Sequence, residues 1–138
     1  MVGHTSMADI AQTSKPDRVD VSVPLRVRFG STLRTLAAAL GADAGFSVDE
    51  LDDLRLALSE IFSVLAESGP DNGRALVSID VTPGELFVSI RSDQDGVAYE
   101  LDELATSILR SVTDTHEAGP DSFTFSKRST DLVSGPAA

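Results

Sequence analysis

The sequence predicts an α/β (α+β) two-layer sandwich, with helices on one face of a mixed, mostly antiparallel sheet. Three observations predict it. Apolar residues alternate with polar ones around residues 19–23 and again through residues 75–90. Between those stretches they recur every three or four residues, the spacing of amphipathic helices. The resulting order is strand, two helices, hairpin, helix, strand, and at 138 residues the chain is long enough to bury one core.

In chain order, Val19, Val21 and Val23 alternate with Asp20 and Ser22 to form a half-buried strand, ended by Pro24. A helix begins near Ser31 and places Leu33, Leu36, Ala37 and Leu40 on one face, with Gly41 positioned to stop it. Ser47-Val48-Asp49-Glu50 is a capping box, in which the Ser hydroxyl and the Glu carboxylate serve each other's backbone amides. Asp49, Glu50, Asp52 and Asp53 complement the positive end of the helix that follows. Leu51, Leu54, Leu58, Ile61 and Leu65 form its stripe until Gly69-Pro70 ends the run. Ala75, Val77, Ile79 and Val81, the turn Pro83-Gly84, and then Leu86, Val88 and Ile90 make a hairpin. Leu101, Leu104, Ala105, Ile108, Leu109 and Val112 predict a third helix, and Phe123 and Phe125 a last strand. Residues 1–18 read as a flexible arm, residues 19–128 as the domain and residues 129–138 as a loose tail.

Composition narrows the function. Asp and Glu total 22 against 11 Lys and Arg, a net charge of −11 that repels nucleic-acid phosphates and favours a basic protein partner. With aromatics at 5%, no base-stacking surface is expected. The chain has no cysteine, which excludes disulfides and thiol chemistry, and no segment long and apolar enough for a bilayer. A cytoplasmic location is expected, with no direct nucleic-acid or membrane partner. His4 and His116 are isolated, so no metal site is expected.

The stretch Leu54-Arg55-Leu56-Ala57-Leu58-Ser59-Glu60, preceded by Ser31-Thr32-Leu33-Arg34-Thr35-Leu36, resembles the GHKL (HATPase_c) ATPase fold, and within it the small anti-sigma factors of the RsbW and SpoIIAB type. The order of elements from Val19 to Arg128 agrees with that family. The resemblance implies a Bergerat-like fold, a homodimer paired through its sheets, and two protein partners: an alternative sigma factor and an anti-anti-sigma (STAS) protein. It also implies ATP- and Mg²⁺-dependent phosphorylation of a serine on the latter.

That chemistry depends on four devices. The N-box pairs a general-base Glu with an Asn four residues on. Glu60 matches the first, but Val64 stands at the second and has no oxygen for a hard cation. The only Asn, Asn72, belongs to the turn Asp71-Asn72-Gly73. The adenine-reading Asp falls at about Ser92, with Asp93 one residue away, and the glycine pair expected there is replaced by the turn at Asp95-Gly96. The lid is short, and Ala105-Thr106-Ser107-Ile108 supplies no glycine to cradle a triphosphate.

The expectation is therefore an anti-sigma factor that acts by binding, with ATP and Mg²⁺ as cofactors only if a divergent pocket still takes them. Glu60 is a vestigial base or a helix carboxylate paired with a nearby Arg. Asp93 is the remaining nucleotide-binding candidate. Arg34, by resemblance, contacts both protein partners or lies on a solvated helix face. Arg26 and Arg28 extend a basic spot around it or pair with the Asp-rich second helix. The alternatives are an active serine kinase with a divergent pocket and a non-catalytic dimeric scaffold.

Overall fold

The computed structural model describes residues 15–68 and 72–130. His4, Gly69-Pro70, Asp71, most of the proposed arm and residues 131–138 of the proposed tail lie outside them. The described residues form five strands and three α-helices: β1 (Asp17–Pro24), α1 (Gly30–Asp43), α2 (Val48–Ser68), β2 (Arg74–Thr82), β3 (Glu85–Ser92), α3 (Glu103–Val112), β4 (Thr115–Ala118) and β5 (Phe123–Arg128). A short 3₁₀ turn, Val27–Phe29, joins β1 to α1.

The sheet order is β1-β2-β3-β5-β4. Every pair is antiparallel, which corrects the expectation of a mixed sheet. Ala75, Val77 and Ile79 of β2, Leu86, Val88 and Ile90 of β3, and Phe123 and Phe125 of β5 are buried against the helices. Leu54, Ala57, Leu58, Ile61, Phe62 and Leu65 of α2 meet them as the central stripe of the helical layer. The opposite sheet face carries polar cross-strand pairs, among them Arg18 with Asp80 at 2.8 Å and the hydroxyls of Thr115 and Ser126 at 2.7 Å. β4 has no counterpart in the sequence reading. Of its four residues only His116 is half-buried, so it shows no apolar alternation to find.

The helix stop is at Gly45, not Gly41. Gly45 has φ +98°, its N–H donates to Ala42 O (3.1 Å), and the Phe46 N–H donates to Gly41 O (3.0 Å), a Schellman motif. Gly41 sits inside α1 because α2 crosses there. A Cβ on it would lie 2.7 Å from Leu51 Cδ2 and 3.2 Å from Leu54 Cδ2. The Pro83-Gly84 turn is present, with Gly84 at φ +80°.

The capping box forms as the sequence predicts: Ser47 N–H donates to Glu50 Oε1 (2.8 Å) and Glu50 N–H to Ser47 Oγ (3.2 Å). Glu50 does more than cap. It is only 7% exposed, and its Oε2 also accepts from the Thr130 N–H (2.8 Å) and hydroxyl (2.9 Å). The Ser129 hydroxyl lies within reach of both Gly45 O (3.1 Å) and Glu50 Oε1 (3.3 Å). Ser129 and Thr130, assigned by the sequence to the tail, are thus fastened to the start of α2. Burial alone would raise the Glu50 pKa, but the hydrogen bonds from Ser47 and Thr130 outweigh it and lower the value to about 2.

Candidate functional site

α2 presents its two flanks differently. On the α1 side, Arg34 Nη1 donates to Ser59 Oγ at 3.2 Å. Arg34 is half-buried there, held across the seam between the two helices rather than waving from a solvated face. Glu60 is one residue further on and so is turned about 100° around the helix from Ser59. It is half-buried, and no described residue gives it an ion pair or a side-chain hydrogen bond. The pairing expected between Glu60 and a nearby Arg is not formed, because Arg55 instead bridges Asp52 at 2.7 Å. Val64 packs against the core.

The segment after β3 closes on itself. Ser92 is buried, its N–H donates to the Tyr99 hydroxyl (2.9 Å), and its Oγ accepts from Gln94 N–H (3.0 Å). Tyr99 stacks edge-on against Phe123 with ring centroids 5.3 Å apart. Gly96, at φ +78°, supplies the turn that brings Tyr99 back. Asp93 is exposed, and its Oδ1 accepts the Arg74 N–H at 2.8 Å, while the Asp93 N–H returns a bond to Arg74 O at 2.9 Å. The hydrogen bond from the Arg74 amide holds its pKa below the ordinary aspartate value. Asp93 therefore ties the open end of the β2–β3 ladder.

Tested against a Mg²⁺–nucleotide group, these residues do not fit. The position that would supply a metal-binding oxygen is Val64, a half-buried apolar side chain packed against the core. The backbone donor at Ser92 is taken by Tyr99, and one Asp93 oxygen by Arg74. The α3 N-terminus is capped by Asp102, whose carboxylate accepts from Ala105 N–H at 2.7 Å and puts negative charge where a phosphate would need donors. Among the described residues, no group of three or more His, Asp or Glu side chains could hold a metal ion, and no helix is long and apolar enough to cross a membrane.

Arg26 and Arg28 are both exposed, and neither forms an ion pair with a described residue. The alternative of pairing with the Asp-rich start of α2 is not realised: Asp52 is taken by Arg55 and Asp53 by Lys127 (3.0 Å). The two arginines instead line a groove of about 360 Å³ together with Phe29, Asn72, Gly73 and Arg74. Two contacts bring its walls together: the β1–β2 register sets Pro24 opposite Arg74, and the Leu25 N–H donates to Gly73 O at 2.9 Å. Arg28 lies over the Phe29 ring, 4.9 Å from its centroid. Arg74 is braced by Ser22, through Nε to Oγ (2.7 Å) and Nη2 to the carbonyl (3.1 Å). The sequence reading missed Arg74 because its place depends on strand register; the signal available was an arginine directly after the Asn72-Gly73 turn. Arg34 is close by in the chain, its Nη1 3.2 Å from where a Cβ on Gly30 would stand.

No protein-family model matches the chain, and a search of curated proteins finds no match.

Proposed function

We propose that this protein is a GHKL-like anti-sigma factor, of Bergerat-like fold, that works by binding alone. It sequesters an alternative sigma factor and releases it when an anti-anti-sigma STAS protein competes for the same surface. Exchange needs no phosphoryl transfer, since two partners sharing one surface displace each other by mass action. The observation that carries this reading is the contrast between a nucleotide position closed by Tyr99, Val64 and Asp102 and an arginine-bearing end left open at Arg26 and Arg28. Arg34, fixed by Ser59, is the expected anchor, because a guanidinium held in place loses little further freedom when it docks. The reading includes a homodimer paired through the sheets and a cytoplasmic location.

The deciding experiment is a titration of the purified protein against the sigma factor and the STAS protein recovered with it from cell extract. Saturable binding of the sigma factor, reversed by the STAS protein and lost in Arg34→Glu, supports the reading. Failure of both to bind ends it. The active-kinase alternative keeps one favourable observation, that Glu60 has no ion-pair partner among the described residues. Calorimetry with Mg-ATP separates the two: micromolar binding abolished by Asp93→Ala would favour the kinase.

A further inference from the structure

The groove at the β1–α1 junction has a chemistry of its own. Three of the chain's 11 basic residues converge there, on a protein with 22 acidic ones, and the described lining contains no carboxylate. Elsewhere Arg18, Arg55, Lys127 and Arg128 each sit against an Asp or Glu, while Arg34, Arg91 and Arg110 have no ion pair among the described residues, so the groove is set apart by the clustering of its arginines. Arg26 and Arg28 have no ion-pair partner among the described residues. With Arg74, whose charge is partly met by Asp93, they gather positive charge at one place on an acidic protein, a place suited to negative charge from outside. An apolar group stands in the same turn. Val27, between Arg26 and Arg28, is 82% exposed, the most exposed of the large hydrophobic residues.

From this charge complementarity we infer that residues 26–29 and 72–74 form a docking surface for an acidic, amphipathic segment of a partner protein. Carboxylates of the segment meet Arg26, Arg28 and Arg74, and one of its apolar side chains covers Val27. The braced guanidinium groups suit that role. Arg28 lies over the Phe29 ring and Arg74 is clamped by Ser22 through Nε and Nη2, so both are held in place and lose little entropy on binding. A bare anion would use the arginines but leave Val27 in water, which is why a protein segment is the better occupant. The inference deepens the anti-sigma reading, since it names what a partner must present at Arg26 and Arg28, but its test requires no sigma factor.

The probe is a synthetic helical peptide with glutamates flanking a leucine stripe, titrated into the isotope-labelled full chain while backbone amide shifts are followed. Two controls accompany it: the same peptide with Gln for every Glu, and inorganic phosphate. Saturable shifts confined to residues 25–30 and 72–75 are expected, with affinity falling about tenfold in Arg26→Glu/Arg28→Glu and again between about 0.05 and 0.3 M salt. Val27→Ser is expected to weaken the glutamate peptide a few fold and leave phosphate unaffected. These substitutions are at exposed positions, and an unchanged amide spectrum elsewhere verifies the fold. Equal binding of the Gln peptide, shifts centred elsewhere, or phosphate binding as tightly as the peptide each overturns the inference. If the peptide fails while the sigma factor still binds and is lost with Arg34→Glu, the docking surface falls and the anti-sigma reading stands. If the peptide binds here while no sigma factor or STAS protein does, the surface stands without that reading.

Discussion

Two glutamates ten residues apart on α2, Glu50 and Glu60, have opposite fates. Glu50 is buried, and donors from Ser47, Ser129 and Thr130 surround its carboxylate. Glu60 is half-buried and has no side-chain partner among the described residues. A catalytic carboxylate is commonly sought where burial and a shifted pKa coincide. Here that combination marks the residue that holds the fold together, because every hydrogen bond to Glu50 comes from a structural element and none from a cleft. Glu60, the one that resemblance picks out, has the lower structural cost of change and so the greater freedom to have kept, or lost, a role.

The largest expected effect separates the two directly. Glu50→Ala leaves the Ser47 and Thr130 amides without their acceptor and is expected to cost about 3 kcal/mol or more in urea unfolding, whereas Glu60→Ala should stay within about 0.5 kcal/mol. Equal costs would erase the contrast. Acid probes Glu50 as well. The Glu50 carboxyl titrates near 2 in the folded chain against an ordinary 4.5, so its contribution is fully present above about pH 4.5 and is lost as pH falls through about 2. Some 3 kcal/mol, to the nearest unit, is expected to vanish over that window and to be absent from the pH profile of Glu50→Gln.

A smaller effect tests the seam on which Arg34 sits. Gly41→Ala crowds Leu51, Leu54 and Phe46, and after the gain in helix propensity is subtracted it is expected to destabilise by about 1 kcal/mol. Gly45→Ala meets no atom but strains a positive φ, at about 1 kcal/mol. Measuring both by thermal unfolding ranks close helix approach against backbone handedness. Arg34→Ala is expected to cost a similar amount, about 1 kcal/mol for the Ser59 hydrogen bond, so a larger loss in the proposed sigma-factor titration would report a partner surface and not the fold.

Local pattern made much of the architecture legible. The valines of β1, the two-residue turn at Pro83-Gly84 and the Ser47–Glu50 capping box all act within a few residues, and each is found where the sequence places it. What escaped depends on distant partners. Gly41 reads as a stop until Leu51 and Leu54 are seen to press on it, and Gly45 takes over that task. Ser129 and Thr130 read as tail because the carboxylate that fixes them lies 79 and 80 residues earlier. At the candidate site, Val64 and the absent glycines were plain from sequence. The return of Tyr99 onto Ser92, and the addition of Arg74 to Arg26 and Arg28, needed the turn at Gly96 and the β1–β2 register.

The bonds between Glu50 and Thr130 also join the chain that follows β5 to the start of α2, 80 residues earlier. Closing a loop of more than half the chain costs entropy, and the donors gathered on one buried carboxylate offset that cost together rather than singly. The carboxylate that caps the longest helix is thereby also the clasp between the helical layer and the last described residues of the sheet.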